Sequence, residues 1–542
     1  MFSINHSARL SLLSVFILSG CQNLAEKPDQ TTSESHSQKT EKTQLTESKS
    51  QSESKLLVST NTTKSTVVEQ QPQNLWNLTR THMQLDLHTD NARVQQQLNW
   101  YKKHPKYIKR VVNRAQPYYH HILHEAIKRD IPVELALLPI VESAFDPFAY
   151  SHGRAAGLWQ FIPSTGKHFG LKQNWWYDGR RDILRSTDAA YTYLSQLNKR
   201  FNGDWLLAVA AYNAGGGNVS LAVKRNKRVS KPIDFWSLKL PKETMAYVPK
   251  LLAISELIKN SEKYGIELPE IENTAYFTAV ETDSQIDLAQ AAEMAEITTK
   301  ELYLLNPGFN RWATDPDGPH ELLIPVSKTE KFKTALSQLP QDQRVNWTRY
   351  KVKSGDSLIV IAKKFDTTVS HIKRSNTLRN NNIRAGQSLM ISTASQNSSE
   401  YALSQQQRHA HKQKVIARTT DRHEQYYTVQ AGDSFWKIAN KYQVGVRQLA
   451  RWNSMAPGDP LRAGKRLVIW SKPQQTALSS SDRQIIRKIG YKVRSGDSLY
   501  RIANKFNVRV SDILQWNKLK KDRYLKPGQR LTLYVDVTRI NS

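Results

Sequence analysis

The chain has 542 residues, of which 39% are hydrophobic and 23% charged, and a formal net charge of +30. That length exceeds one ordinary core and predicts two or more domains, while the charge points to an anionic partner: nucleic acid, an anionic membrane or a polyanionic wall. The single cysteine, Cys21, excludes an intramolecular disulfide and any cysteine-based metal cluster.

Arg9 precedes an apolar run from Leu10 to Leu18, too short to span a bilayer but the length of the core of a secretory signal. The ending Leu18-Ser19-Gly20-Cys21 resembles a bacterial lipobox, in which cleavage leaves the cysteine as a lipid-modified N-terminus. An ordinary signal peptide with an incidental cysteine is the plainer alternative. The resemblance implies a signal peptide over 1–21 and membrane attachment through Cys21. With Gln22 rather than aspartate following, it implies the periplasmic face of the outer membrane. An exported chain does not meet the chromosome, so the basic surface is expected to face lipid or wall polymer and not nucleic acid.

Residues 22–74 are rich in Ser, Thr, Gln, Glu and Lys and read as a disordered tether. From 75 to 266 apolar residues recur at helical spacing, as in VELALLPIVESAF, DWLLAVAAYNAG and KETMAYVPKLLAISELI, which predicts a mostly helical domain. Glu142 closes the first of these apolar stretches. A carboxyl group ending such a helix is expected to be partly desolvated, which raises its pKa towards that of a general acid. Glu134, two turns earlier, is expected on the helix surface, and Asp146-Pro147 reads as a turn. Gly215-Gly216-Gly217 reads as a helix stop.

The C-terminal part repeats. Segments 350–365, 427–442 and 491–506 align without a gap, and each continues to an asparagine 21 residues beyond its turn glycine: Gly355 to Asn376, Gly432 to Asn453, Gly496 to Asn517. Each unit reads as a strand, a Gly-Asp-Ser turn, two helices and a second strand, with Asp and Ser as natural N-cap residues. The predicted modules span 348–393, 425–471 and 489–536, joined by polar, flexible linkers over 394–424 and 472–488. These give no reason to expect a fixed arrangement of modules and helical domain. A degenerate fourth copy is predicted over 275–328, where Ala292 precedes Asn306 by the same 14 residues that separate Ala362 from Asn376.

The three clean units resemble LysM modules, a family that binds polymers containing N-acetylglucosamine. That resemblance implies a glycan groove beside the turns Gly355-Asp356-Ser357, Gly432-Asp433-Ser434 and Gly496-Asp497-Ser498, although the three aspartates alternatively only shape the turn. In the helical domain Glu142-Ser143, Ser151, Gly157-Leu158-Trp159-Gln160, Ala211-Tyr212-Asn213-Ala214-Gly215, Glu243-Thr244 and Tyr247 occur in the order found in lytic transglycosylases, which share the lysozyme-like α fold. With the lipobox and LysM modules, the chain resembles the membrane-bound lytic transglycosylase D type. Trp159 departs from the methionine of many relatives and is expected to line the cleft.

The resemblance implies that Glu142 first protonates the oxygen between N-acetylmuramic acid and N-acetylglucosamine. It then takes the proton of the muramyl 6-hydroxyl as that oxygen closes onto C1, giving a 1,6-anhydro product without water. Ser151, Gln160, Asn213 and Tyr247 are implied around the reacting sugar. Tyr212 either contacts the sugar or is a buried aromatic. If Glu134, Asp146, Asp178, Asp182 or Glu243 sat across the cleft, lysozyme-type hydrolysis would be the alternative; a non-catalytic wall-binding lipoprotein is the other. No HExxH or phosphate-loop pattern occurs, so neither metal nor cofactor is expected. Oligomeric state is left open.

Overall fold

The computed structural model describes residues 73–419, 422–471, 486–495, 497–506, 508–519 and 525–536. Cys21, the predicted signal peptide, nearly all of the tether, most of the linker 472–488 and Gly496 lie outside the described residues.

The first part is helical: α1 Leu75–Thr81, α2 Ala92–Lys102, α3 Pro105–Ala115, α4 Tyr119–Lys128, α5 Leu138–Ser143, α6 Pro163–His168, α7 Ile183–Arg200, α8 Trp205–Ala214, α9 Gly216–Lys227 and α10 Lys242–Lys259. Side-chain caps start several of them: Asn91 for α2, Asp182 for α7 and Asp204 for α8 accept hydrogen bonds from backbone N–H groups of the first turn. α10 is the organising element, with Val248, Leu251, Leu252, Ala253 and Leu257 fully buried, packed against α2, α8 and the 3-10 segment Val133–Leu137. The apolar stretch before Glu142 is thus two elements, the 3-10 turn and α5. Pro139, in the first turn of α5, supplies no N–H to continue the earlier hydrogen bonding. Gly215, at φ +86°, stops α8 and starts α9.

Four small units follow, each an antiparallel strand pair enclosing two helices. β1 Phe277–Glu281 pairs with β2 Glu321–Pro325 around α11 Leu288–Met294 and α12 Thr299–Leu305, and α13 Thr329–Gln338 packs beside them. β3 Asn346–Lys351 pairs with β4 Ser388–Thr393 around α14 Leu358–Lys364 and α15 Val369–Ser375. After α16 Gln405–Thr419, β5 His423–Thr428 pairs with β6 Arg466–Ser471 around α17 Phe435–Lys441 and α18 Val446–Trp452. β7 Ile486–Lys492 pairs with β8 Arg530–Asp536 around α19 Leu499–Lys505 and α20 Val510–Trp516.

The recurring asparagine holds each unit together. Asn453 donates through Nδ2 to Leu449 O at 2.9 Å and Val468 O at 2.8 Å, and its Oδ1 accepts from Val468 N at 2.7 Å. Asn376 and Asn517 make the same three bonds. So does Asn306, tying the end of α12 to Leu323 on β2. One side chain therefore satisfies both backbone groups of the last strand and an orphan carbonyl of the second helix.

Composition predicts a flexible linker over 394–424, yet its described residues 394–419 make specific buried contacts. Tyr401 is 3% exposed, and its hydroxyl donates to the buried Asp287, at 2.9 Å to Oδ2, which also accepts from Ser395 N at 2.9 Å. α16 then runs on to the third unit, where Gln413 accepts from Trp470 Nε1 at 2.7 Å. That unit is fixed to the helical domain as well: Asp459 meets Arg154 Nε at 2.6 Å and accepts from Tyr150 Oη at 3.1 Å. A few buried partners outweigh the polarity of the connecting chain.

Candidate active site

Glu142 lies in the last turn of α5, before two left-handed residues, Ala144 at φ +51° and Phe145 at φ +53°, that turn the chain away. Its carboxylate is half-buried. Tyr247 of α10, 5% exposed, donates its hydroxyl to Glu142 Oε1 at 2.5 Å. Burial raises the Glu142 pKa from 4.5 to about 7; the Tyr247 hydrogen bond opposes that rise, the nearby charge of Glu243 adds to it and Lys250 opposes it. Burial and the adjacent carboxylate together hold the Tyr247 hydroxyl well above its ordinary pKa, so it stays a donor.

Asn213 and Tyr212 come from the last turn of α8. Thr244, one turn before Tyr247 on α10, donates to Asn213 Oδ1 at 2.7 Å. Tyr212 donates to the Trp159 carbonyl at 2.8 Å, and burial and the Glu142 charge push its pKa well up. Tyr212 is therefore both a packed aromatic and a neighbour of the carboxylate. Ser143 donates to Leu158 O at 3.0 Å, fastening α5 to the segment that carries Gln160.

Gln160 takes a left-handed conformation, φ +49°, and donates through Nε2 to Gly157 O at 2.8 Å. Its amide thus holds its own turn. Gly157 is obligatory there: at φ +81° an added Cβ would lie 2.1 Å from the Arg180 carbonyl oxygen. Ser151 accepts from Ala155 N at 3.0 Å and closes a loop; it lines a large cavity beyond that loop. The described residues show no hydrogen bond from Gln160 or Ser151 to Glu142.

Two expectations are corrected. Trp159 is fully buried and does not line the cleft: its Nε1 donates to Thr187 Oγ1 at 3.0 Å and its ring meets Tyr191 edge-on. An indole whose one polar atom has a partner on α7 packs as core. Glu134 is not on a helix surface but 0% exposed, because the 3-10 turn rotates it inward, where Oε1 accepts from Gln84 N and Leu85 N, each at 2.8 Å.

Three of the remaining acids are engaged elsewhere. Asp178 pairs with Arg180 and Arg181, Asp182 caps α7, and Asp146 accepts from Phe148 N at 2.9 Å within its turn. Glu243, exposed on the first turn of α10, is the carboxylate whose charge reaches Glu142.

A cavity of about 260 Å³ opens beside α5, lined by Trp100, Tyr107, Ile140, Val141 and Lys250 among others. Trp100, 45% exposed and stacked on His104 with ring centroids 4.2 Å apart, offers a flat face there. No motif marked it; a tryptophan on an otherwise polar helix face was the available signal.

In the repeats the two turn residues divide the labour. Ser357, Ser434 and Ser498 cap α14, α17 and α19. Asp356, Asp433 and Asp497 instead close the preceding turn. Each accepts from the backbone three residues earlier, at 2.8 Å, and from the hydroxyl of Tyr350, Tyr427 or Tyr491, which holds their carboxyls below the usual range. Gly355 and Gly432 have φ of +86° and +80° with open space where a Cβ would sit. Sequence reasoning missed the position two residues after each capping serine: Ile359, Trp436 and Tyr500 are 73%, 65% and 71% exposed. The signal was an apolar residue beside the buried position of a short amphipathic helix, where no core needs it.

Family models match in the same order. The transglycosylase SLT domain matches residues 123–235, the LysM-like domain of lytic transglycosylase MltD matches 276–341, and the LysM domain matches 350–392, 427–470 and 491–533. The chain is 35% identical over 446 residues to membrane-bound lytic murein transglycosylase D of Escherichia coli K12, covering 82% of each chain. It is 38% identical over 175 residues to a putative tributyltin chloride resistance protein of Alteromonas sp. M-1, covering 32% of this chain and 83% of that one. Among solved structures, lytic transglycosylase Slt of Pseudomonas aeruginosa is 26% identical over 26% of this chain and 24% of its own, with a TM-score of 0.21. With identity sustained across the helical domain and repeats alike, this chain belongs to the membrane-bound lytic murein transglycosylase D family.

Proposed function

We propose that Glu142 is the acid and base of the lytic transglycosylase reaction of this chain. The observation that carries the reading is the burial of this one carboxyl, with its pKa raised to about 7, against the Tyr247 hydroxyl. At neutral pH a large fraction of Glu142 is then protonated and can give its proton to the glycosidic oxygen between N-acetylmuramic acid and N-acetylglucosamine as the C1–O bond breaks. The carboxylate so formed takes the proton of the muramyl 6-hydroxyl while O6 bonds to C1. The proton count closes, no water enters, and the product is a 1,6-anhydro sugar. The engagement of Asp178, Asp182 and Asp146 in structural bonds supports a one-carboxylate route over the two-carboxylate chemistry of most glycosidases.

Tyr247 holds Oε1, leaving the other carboxyl oxygen for the shuttled proton. Thr244 occupies the Asn213 carbonyl, leaving its N–H donors for a sugar acceptor. Gln160 and Ser151 act on the sugar mainly by shaping the loop, since their polar atoms already have protein partners. The LysM modules hold the wall through the Gly-Asp-Ser turns and the exposed Ile359, Trp436 and Tyr500, and three weak modules on one chain gain by effective concentration. The enzyme is placed in the cell envelope, anchored by lipid at Cys21 to the periplasmic face of the outer membrane; metabolic labelling with a radioactive fatty acid, lost in Cys21→Ser, tests this.

The test of the reaction is digestion of purified sacculi followed by mass analysis of the released muropeptides. Anhydro ends support the reading, reducing ends would make the enzyme a hydrolase, and Glu142→Gln should release neither while still binding sacculi.

A further inference from the structure

Between the helical domain, α16 and the third small unit lies a chamber of about 1070 Å³, above the roughly 300–1,000 Å³ of sites for drug-sized ligands. Nine Arg and Lys line it against three Asp. Two of those aspartates are already committed: Asp178 to Arg180 and Arg181, Asp459 to Arg154. On the far wall Lys412, Arg451 and Arg462 make no ion pair and no side-chain hydrogen bond among the described residues. On the near wall the Arg408 guanidinium lies 4.1 Å from the centre of the Phe148 ring, and the buried Nε of Arg181 has no hydrogen-bond partner.

Positive charge is therefore in excess on the chamber walls. Burial, then repulsion from Arg181, lowers the Arg408 pKa to about 9; burial and Arg451 lower that of Lys412; burial, Lys412 and Lys465 lower that of His409. Cations gathered in a concave, partly dry space attract an anion whose carboxylates reach several of them at once. The chamber also has apolar surface, from Phe148, Trp175 and Met455, so the ligand is amphipathic.

The near wall includes the loop that bears Ser151. The Ala149 carbonyl in that loop accepts from Gly157 N at 3.1 Å, just before Gln160, so the chamber and the segment beside the carboxylate share one piece of backbone. A muramyl residue bound near Glu142 carries a peptide stem with free carboxylates, the anionic chemistry that these cationic walls attract. We infer that the chamber is a carboxylate-binding subsite that receives the peptide stem of the glycan strand. The inference rests on the transglycosylase reading and adds to it a reason for the third small unit to be fixed against the catalytic domain.

Three substrates test it with the full chain: glycan strands with intact stems, strands whose stem carboxylates have been amidated, and strands stripped of stems by an amidase. Wild type should show a KM about tenfold lower for intact than for amidated stems at low salt, the scale of one or two accessible ion pairs. The variant Lys412→Gln/Arg451→Gln/Arg462→Gln should erase that difference, while its kcat on stripped strands stays within about twofold of wild type and so reports an intact fold. Equal KM values for intact and amidated stems in wild type would overturn the subsite, as would a tenfold difference that persists in the triple variant. Anhydro products from stripped strands keep the transglycosylase reading whatever the stems do; reducing ends or no products from them would sink that reading instead.

Discussion

The Tyr247 hydroxyl donates to Oε1 of Glu142 at 2.5 Å, joining two helices whose residues stand 105 positions apart. This bond favours the charged carboxylate and so works against the burial that keeps Glu142 protonated. Its removal in Tyr247→Phe should raise the Glu142 pKa further. The protonated acid then survives to higher pH, so the alkaline limb of the kcat/KM profile moves up, while the maximum falls about 10–100-fold because the carboxyl loses its orientation. An alkaline limb that stays put or moves down would contradict this.

The same carboxyl makes stability depend on pH. Its folded pKa, about 7, lies above the unfolded value near 4.5. The folded state therefore holds the extra proton between those values, and stability is lost as pH rises through that window. Glu142→Gln removes the titration. Its melting temperature should match wild type near pH 4 and exceed it at pH 8, by a margin worth at most about 3 kcal/mol. Thermal unfolding at the two pH values checks this, and a gap of equal size at both would refute it.

In the repeats, exposed apolar side chains at matching positions predict shared binding. Trp436→Ala and Tyr500→Ala should each weaken sacculus binding several-fold, and together with Ile359→Ala more than tenfold, because the modules act through effective concentration. Pull-down against increasing sacculi measures it, with soluble-substrate cleavage as the control. Undiminished retention of the triple variant would assign wall binding to the turns alone.

Asn453 gives a test of module stability. Its side chain serves Leu449 O and both backbone groups of Val468, and it is 8% exposed. Asn453→Ala leaves buried backbone groups unsatisfied, at about 1–3 kcal/mol each. Hydrogen exchange should accelerate across residues 426–470 and not across 95–260; exchange unchanged in the module would show that water replaces the amide.

These cases show what sequence carries and what it withholds. The repeated Asn is legible because it recurs at a fixed offset, and Glu142 because it ends an apolar stretch within a motif order that resembles lytic transglycosylases. Tyr247 is visible as a motif residue, but its bond to Glu142 is not, because that contact is made by folding distant helices together. Glu134 and Trp159 are misread for one reason: a charged and a large aromatic residue near a cleft suggest exposure, whereas a backbone N–H pair and the Thr187 hydroxyl satisfy their polar atoms inside. The linker 394–424 is polar on average, and composition averages away Tyr401, whose bond to Asp287 orders it.

Asp459 is the remaining test, since it decides whether the third unit stays against the catalytic domain. Its carboxylate faces Arg154 Nε at 2.6 Å, with side chains 12% and 38% exposed respectively, and it also accepts from Tyr150 Oη and from Ala456 N at 2.8 Å. A partly exposed pair of this kind contributes about 1 kcal/mol and is weakened by salt. Asp459→Asn keeps the shape and the possibility of a neutral hydrogen bond but removes the charge, so docking should loosen without unfolding the module. A fluorophore pair placed at exposed sites on α9 and α17 would report a longer, broader distance distribution in the variant, and wild type should approach that distribution as salt rises. Should wild type and variant give the same narrow distribution at low salt, the contacts of α16 with Trp470 and Asn310 hold the unit in place without the ion pair.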